Sequence, residues 1–250
     1  MATQGQDRFT TINRSRTVDQ AEMDLGLRDY MLRVYNYMAT GLAVSGLVAW
    51  LVANTALQGV FFSVNPQTGM VGPNILGLIG MFGPLGLLFA MMFMAQKSSA
   101  ATLQAMYWAF VALQGISLSL ILMMYTGESV MRVFFITAAS FAGLSLYGYT
   151  TKRDLSGFGS FLVMGLIGLL IAMVVNIFVA SSMLMFVISA AGVLIFAGLT
   201  AYYTQEIKLQ YSADADGETQ TKGAIMGAIS LYLAFINLFQ FLMMFLGQRE

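Results

Sequence analysis

The chain has 250 residues, 58% of them hydrophobic, with 25 glycines besides and only 10% charged. Soluble domains average about 25% charged residues, so this composition excludes a soluble enzyme, a disordered chain and a nucleic-acid binder, and marks a membrane protein. Lys plus Arg and Asp plus Glu balance at 12 each, and Cys and His are both absent. Net charge therefore points to no partner. The chain also lacks disulfides, thiolate nucleophiles, the usual zinc and haem ligands and the usual neutral-pH sensor, and no cofactor is implied.

Residues 1–16 are polar and are predicted as a disordered cytoplasmic arm; they contain no apolar run ending in a small-residue cleavage site. Over 17–30, Val18, Ala21 and Leu25, continued by Leu32, recur at helical spacing. That pattern predicts an amphipathic lead-in helix. Residues 31–250 form the membrane domain, with seven apolar segments at about 31–54, 75–95, 101–124, 130–150, 159–180, 183–203 and 223–246. Each is close to the roughly 20 residues needed to cross a bilayer core. The connections at 125–129 and 181–182 allow only tight helical hairpins. With the N-terminus inside, Arg8, Arg14, Arg16, Arg28, Arg33, Lys97, Lys152, Arg153, Lys208 and Lys222 fall on the inner side, and Arg132 and Arg249 on the outer. This bias predicts a cytoplasmic N-terminus and, with seven spans, an external C-terminus.

No Asp, Glu or Lys falls well inside a span, which argues against proton relays and ion pumps built on buried ionisable groups. A retinal Schiff base is excluded as well, since Lys222 only precedes the last span. In the second span Gly77, Gly80, Gly83 and Gly86 recur every third residue, with Pro84 among them. Small residues let helices approach in lipid and proline kinks a helix; a packing face is the first reading and a hinge the second. Gly223 and Gly227 open the last span as a GxxxG. Such faces serve dimer contacts as readily as internal packing, so the oligomeric state stays open.

Ser230, Ala234 and Asn237 share one face of the last span, and Thr200 and Tyr203 share a face near the inner end of the sixth. Buried Ser, Thr and Asn serve interhelical hydrogen bonds more often than ligands. Asp214, Asp216, Gly217 and Glu218 form an acidic loop without the alternating oxygens and twelve-residue spacing of a calcium loop, so no metal site is predicted there. The 20 methionines are spread along the chain and fit adaptable packing.

The stretches LYGYTTKRDLSGFGSF at 146–161, GLTAYYTQEIK at 198–208 and SLYLAFINLF at 230–239, with YTGES at 125–129 and RVFFITA at 132–138, resemble the bacterial branch of the Bax inhibitor-1 family. The resemblance runs from about residue 28 to the end. It implies an all-α polytopic membrane protein: a seven-helix bundle with the last helix central, in a bacterial inner membrane. It also implies a pH-sensitive calcium leak, closed by two aspartates on the last two helices that share a proton. At the matching positions this chain has Tyr203 within AYYTQ and Ala234 within LYLAFINLF. The arginine of the family pattern near the inner end of the second helix is Met94.

Losing one such partner alone strands a buried charge, at about 3–5 kcal/mol; losing all three together avoids that penalty and reads as a neutral replacement of the switch. A phenol titrates near 10 in peptides, so Tyr203 is no sensor between about pH 5 and 8. The remaining pathway or gate candidates, Thr200, Ser230 and Asn237, offer only neutral oxygens. The expected function is a leak for calcium or other cations with acid gating lost, either constitutive or plugged by Tyr203. The alternative is a non-transporting modulator of a membrane protease or stress response, acting through the polar arm and the acidic loop. An enzyme is not expected, because the spans hold no carboxylate pair, no serine with a base and no metal site.

Overall fold

The computed structural model describes residues 4–64 and 71–248, with side chains at Met23 and from Leu25 onward outside the 64–71 turn. Its elements are α1 (Gln4–Asn54), α2 (Gln58–Phe61), β1 (Phe62–Val64), β2 (Val71–Pro73), α3 (Ile75–Met94), α4 (Ala100–Met124), α5 (Gly127–Thr150), α6 (Ser156–Val179), α7 (Ser182–Leu209) and α8 (Gly217–Leu246). Among the described residues, seven helical stretches are long and apolar enough to cross a membrane: Leu25–Asn54 of α1, and α3 through α8. The protein is an all-α polytopic membrane protein, and the spans fall within a few residues of the hydropathy segments at most ends.

The backbone of α1 runs unbroken from Gln4, so no break marks the boundaries expected at 16/17 and 30/31. The side chains of the arm and of most of the lead-in lie outside the described residues. Between the first two spans the sequence shows no helix period, and there the chain makes α2 and an antiparallel strand pair, with Phe62 opposite Pro73. Asn74 fixes this piece to α3. Its Oδ1 accepts from the Gly77 amide at 3.0 Å and its Nδ2 donates to the Val60 carbonyl at 2.8 Å.

Most other helix starts follow the same chemistry, in which a short polar side chain accepts from an orphan amide. Ser99, Thr126, Ser181 and Asp216 cap α4, α5, α7 and α8 in this way. Ala180, with φ of 50°, turns the chain between α6 and α7, and Asn176 accepts from the Ser181 amide at 3.1 Å.

The helices form two layers around one axis. α1 and α3 pack on α4, while α5 and α6 pack on α7; α8 runs between, against α7, α1, α5 and α4. In the apolar 18-residue stretch of α8, 61% of the residues are buried, against 17–33% in the corresponding stretches of the other six. The last helix is therefore central. Gly148 and Gly192 permit close approach. A Cβ on Gly148 would strike the Ala201 carbonyl of α7, and one on Gly192 the Phe241 ring of α8. Among the described residues no buried side-chain nitrogen or oxygen lacks a hydrogen-bond partner.

Candidate functional site

Because α3 leans on α4 and α6 on α7, one flank of α8 is left uncovered. A cavity of about 460 Å³ lies there, walled by Leu88 and Met92 of α3, Leu166, Leu169, Leu170 and Met173 of α6, and Phe196 and Tyr203 of α7. Its floor is α8, from Met226 past Ser230, Ala234, Asn237 and Gln240 to Met244. That floor is about 27 Å long at 1.5 Å per residue, close to the thickness of a hydrocarbon core of about 30 Å.

The structure brings Ser230, Ala234 and Asn237 of the α8 stripe together on this cavity with Tyr203, but not Thr200, of the α7 stripe. Ser230 donates to the Met226 carbonyl at 3.3 Å and Asn237 to the Leu233 carbonyl at 2.8 Å, so both turn their protons back to their own helix. Tyr203 is half-buried beside Tyr202, with ring centroids 5.5 Å apart. No carboxylate or cation lines the cavity.

Two candidates lie elsewhere. Thr200 is fully buried; it donates to Phe196 at 2.8 Å and its carbonyl receives Thr204 at 2.8 Å. Three residues along a helix is a turn of about 60° short of full circle, enough to aim Tyr203 at the cavity and Thr200 into the helix contact. Met94 ends α3, is 43% exposed, and does not reach the cavity wall, which Leu88 and Met92 supply instead.

The glycines of α3 form a packing face. A Cβ would meet the Phe61 carbonyl at Gly77, Ile116 at Gly80 and Leu113 at Gly83, while Gly86 has open space. Pro84 is buried within a helix that continues through it. Gly223 faces Tyr30 of α1 and Gly227 faces Ile207 of α7, so neither belongs to the cavity.

Other residues give the site its frame. Gln205, two residues beyond Tyr203, accepts from the Leu155 amide at 2.8 Å and donates to the Arg153 carbonyl at 2.9 Å. It thereby clamps the α5–α6 connection. Lys208 donates to the Tyr149 carbonyl at 2.8 Å. Gln240 extends the polar stripe by one step past Asn237, and continuing the same spacing finds it.

The acidic loop serves structure. Glu218 pairs with Lys222 at 3.1 Å and accepts from the Ala100 amide at 3.2 Å. Asp216 is held below the usual carboxylate range by its hydrogen bonds from Thr219, and Asp154 by the Ser156 amide. Among the described residues, no group of three or more acidic side chains is placed to hold a metal ion.

The profile described as "Inhibitor of apoptosis-promoting Bax1" matches residues 27–250. The chain belongs to the Bax inhibitor-1 family. A Caulobacter vibrioides protein is 47% identical over 94% of this chain and 95% of its own length. Inner membrane protein YbhL of Escherichia coli is 41% identical, over 90% and 94%, and a Streptococcus pyogenes membrane protein is 34% identical, over 92% and 96%. Within this Bax inhibitor-1 protein the matched region takes in all of the seven spans but the first two residues of the first, and the whole α8 cavity.

Proposed function

We propose that this protein is a cation leak of the bacterial inner membrane, with its pathway along the uncovered flank of α8 and Tyr203 as its closing element. The observation that carries the reading is the cavity itself: it follows α8 for nearly a membrane thickness, and Tyr203 of α7 lines it together with Ser230 and Ala234 of α8. Its polar lining is neutral, and calcium is held tightly only where carboxylates join its six to eight oxygens. The lining thus argues against tight retention of the ion. The Ser230 hydroxyl proton and one Asn237 amide proton are already committed to backbone carbonyls, which supports transport over catalysis. The N-terminus faces the cytoplasm, a reading supported by the clustering of Arg28, Arg33, Lys97, Lys152, Arg153, Lys208 and Lys222 at one end of the bundle.

The test is calcium and proton flux in proteoliposomes at pH 6 and pH 8. The native chain should leak weakly and equally at both values, and Tyr203→Ala should raise the flux at both. Tyr203→Asp with Ala234→Asp should make the flux pH-dependent, with no change needed at Met94, which lies off the cavity. If the native chain, Tyr203→Ala and the double variant are all silent, the leak reading is refuted and a role in modulating a membrane protease or stress response replaces it.

A further inference from the structure

On the opposite flank of the molecule α1 and α5 barely meet. Between them a cavity of about 570 Å³ opens, bounded by Arg28, Leu32 and Tyr35 on one side and Phe141, Leu146 and Tyr149 on the other. From Arg28, in the first turn of its span, to Tyr35 is about 10 Å along the helix. The groove therefore stays within one leaflet.

Its floor is chemically closed. Thr204 gives its proton to the Thr200 carbonyl, so Ser145 must donate to Thr204 at 3.0 Å and Tyr35 to Ser145. Every hydroxyl proton in that row is committed. The mouth is cationic: Arg28 is exposed and forms no ion pair among the described residues, and Lys208 Nζ sits 5.1 Å from the centre of the Tyr149 ring.

An apolar slot open to the bilayer under a cationic mouth calls for one kind of occupant. A peptide would bury amides without partners, and a free phosphate would leave the slot empty. Guanidinium groups match phosphate oxygens in pairs, and basic pockets between helices at this face suit anionic head groups. We propose that the α1–α5 groove binds an anionic phospholipid, with its phosphate on Arg28 and one acyl chain between Leu32 and Leu146. The lipid bridges the two helical layers where the protein alone leaves them apart.

The experiment is native mass spectrometry of the full chain in detergent, offered equimolar phosphatidylglycerol and phosphatidylcholine. The phosphatidylglycerol adduct should dominate. Arg28→Gln, a change at an exposed position, should cut that preference about five-fold, the weight of one cation near a membrane surface, and Arg28→Lys should restore part of it. Leu146→Trp, which fills the slot, should lower both adducts, and Lys97→Gln should change nothing. An unchanged preference in Arg28→Gln overturns the site. An equal loss in Lys97→Gln also overturns it, by assigning the preference to diffuse surface charge. So does displacement of the lipid by glycerol 3-phosphate, which would reduce the site to an anion site without a chain.

Discussion

Ser45 of α1 and Tyr232 of α8 are both fully buried, and their oxygens lie 2.6 Å apart. Ser45 has one proton, and the carbonyls of Gly41 and Val111 both lie 2.9 Å from its oxygen. Tyr232 must therefore be the donor, and this one contact ties α1, α4 and α8. Tyr232→Phe removes the donor and leaves Ser45 satisfied, so it should cost about 0.6 kcal/mol, the average for an interhelical hydrogen bond in a membrane protein. Ser45→Ala instead strands a phenolic proton in an apolar interior, at about 1–3 kcal/mol. With both changes neither polar group remains, and the loss should fall below that of Ser45→Ala alone. Equilibrium unfolding by sodium dodecyl sulfate in mixed micelles measures all three. If Ser45→Ala costs no more than Tyr232→Phe, or the double variant equals the sum of the singles, the assigned direction of the bond is wrong.

Gly148→Ala should destabilise the bundle by about 1–3 kcal/mol, because its methyl would enter the Ala201 backbone rather than a yielding side chain; Gly143→Ala on the same helix, with open space at its Cβ, should be neutral or better in the same assay. Asp216 caps α8 with a lowered pKa, so its contribution is complete at neutral pH and lost as pH falls below the ordinary carboxylate range. Hydrogen exchange at 217–220 should accordingly be unchanged between pH 8 and pH 6, after correction for the intrinsic rate, and rise in acid, with Asp216→Ala showing the raised rate throughout.

The spans were legible because a bilayer asks one question of every residue, and twenty consecutive apolar answers are hard to mistake. The α8 stripe was legible for a related reason: helical spacing alone puts Ser230, Ala234 and Asn237 on one side. Which side of the neighbouring helix faces that stripe was less so. Thr200 and Tyr203 differ by about 60° around α7, and only the packed position of α6 decides which of them reaches the cavity. Met94 failed for its place at the end of α3, where the helix no longer has a wall to line. The Ser45–Tyr232 contact joins residues 187 apart in sequence, and nothing local to either distinguishes it from any polar residue in an apolar run. The strand pair between α1 and α3 is three residues a side, too short for alternation to show.

The central position of α8 sets an order on biosynthesis. Both helical layers leave the ribosome before the helix that separates them, so Ser45 waits for Tyr232 and Ile207 for Gly227 while six spans already occupy the bilayer. The inner faces of α1, α5 and α7 must meanwhile rest on lipid or on each other. Entry of the thirty residues of α8 thus follows that of the six other described spans, and a substitution there acts on whether those six ever find their places.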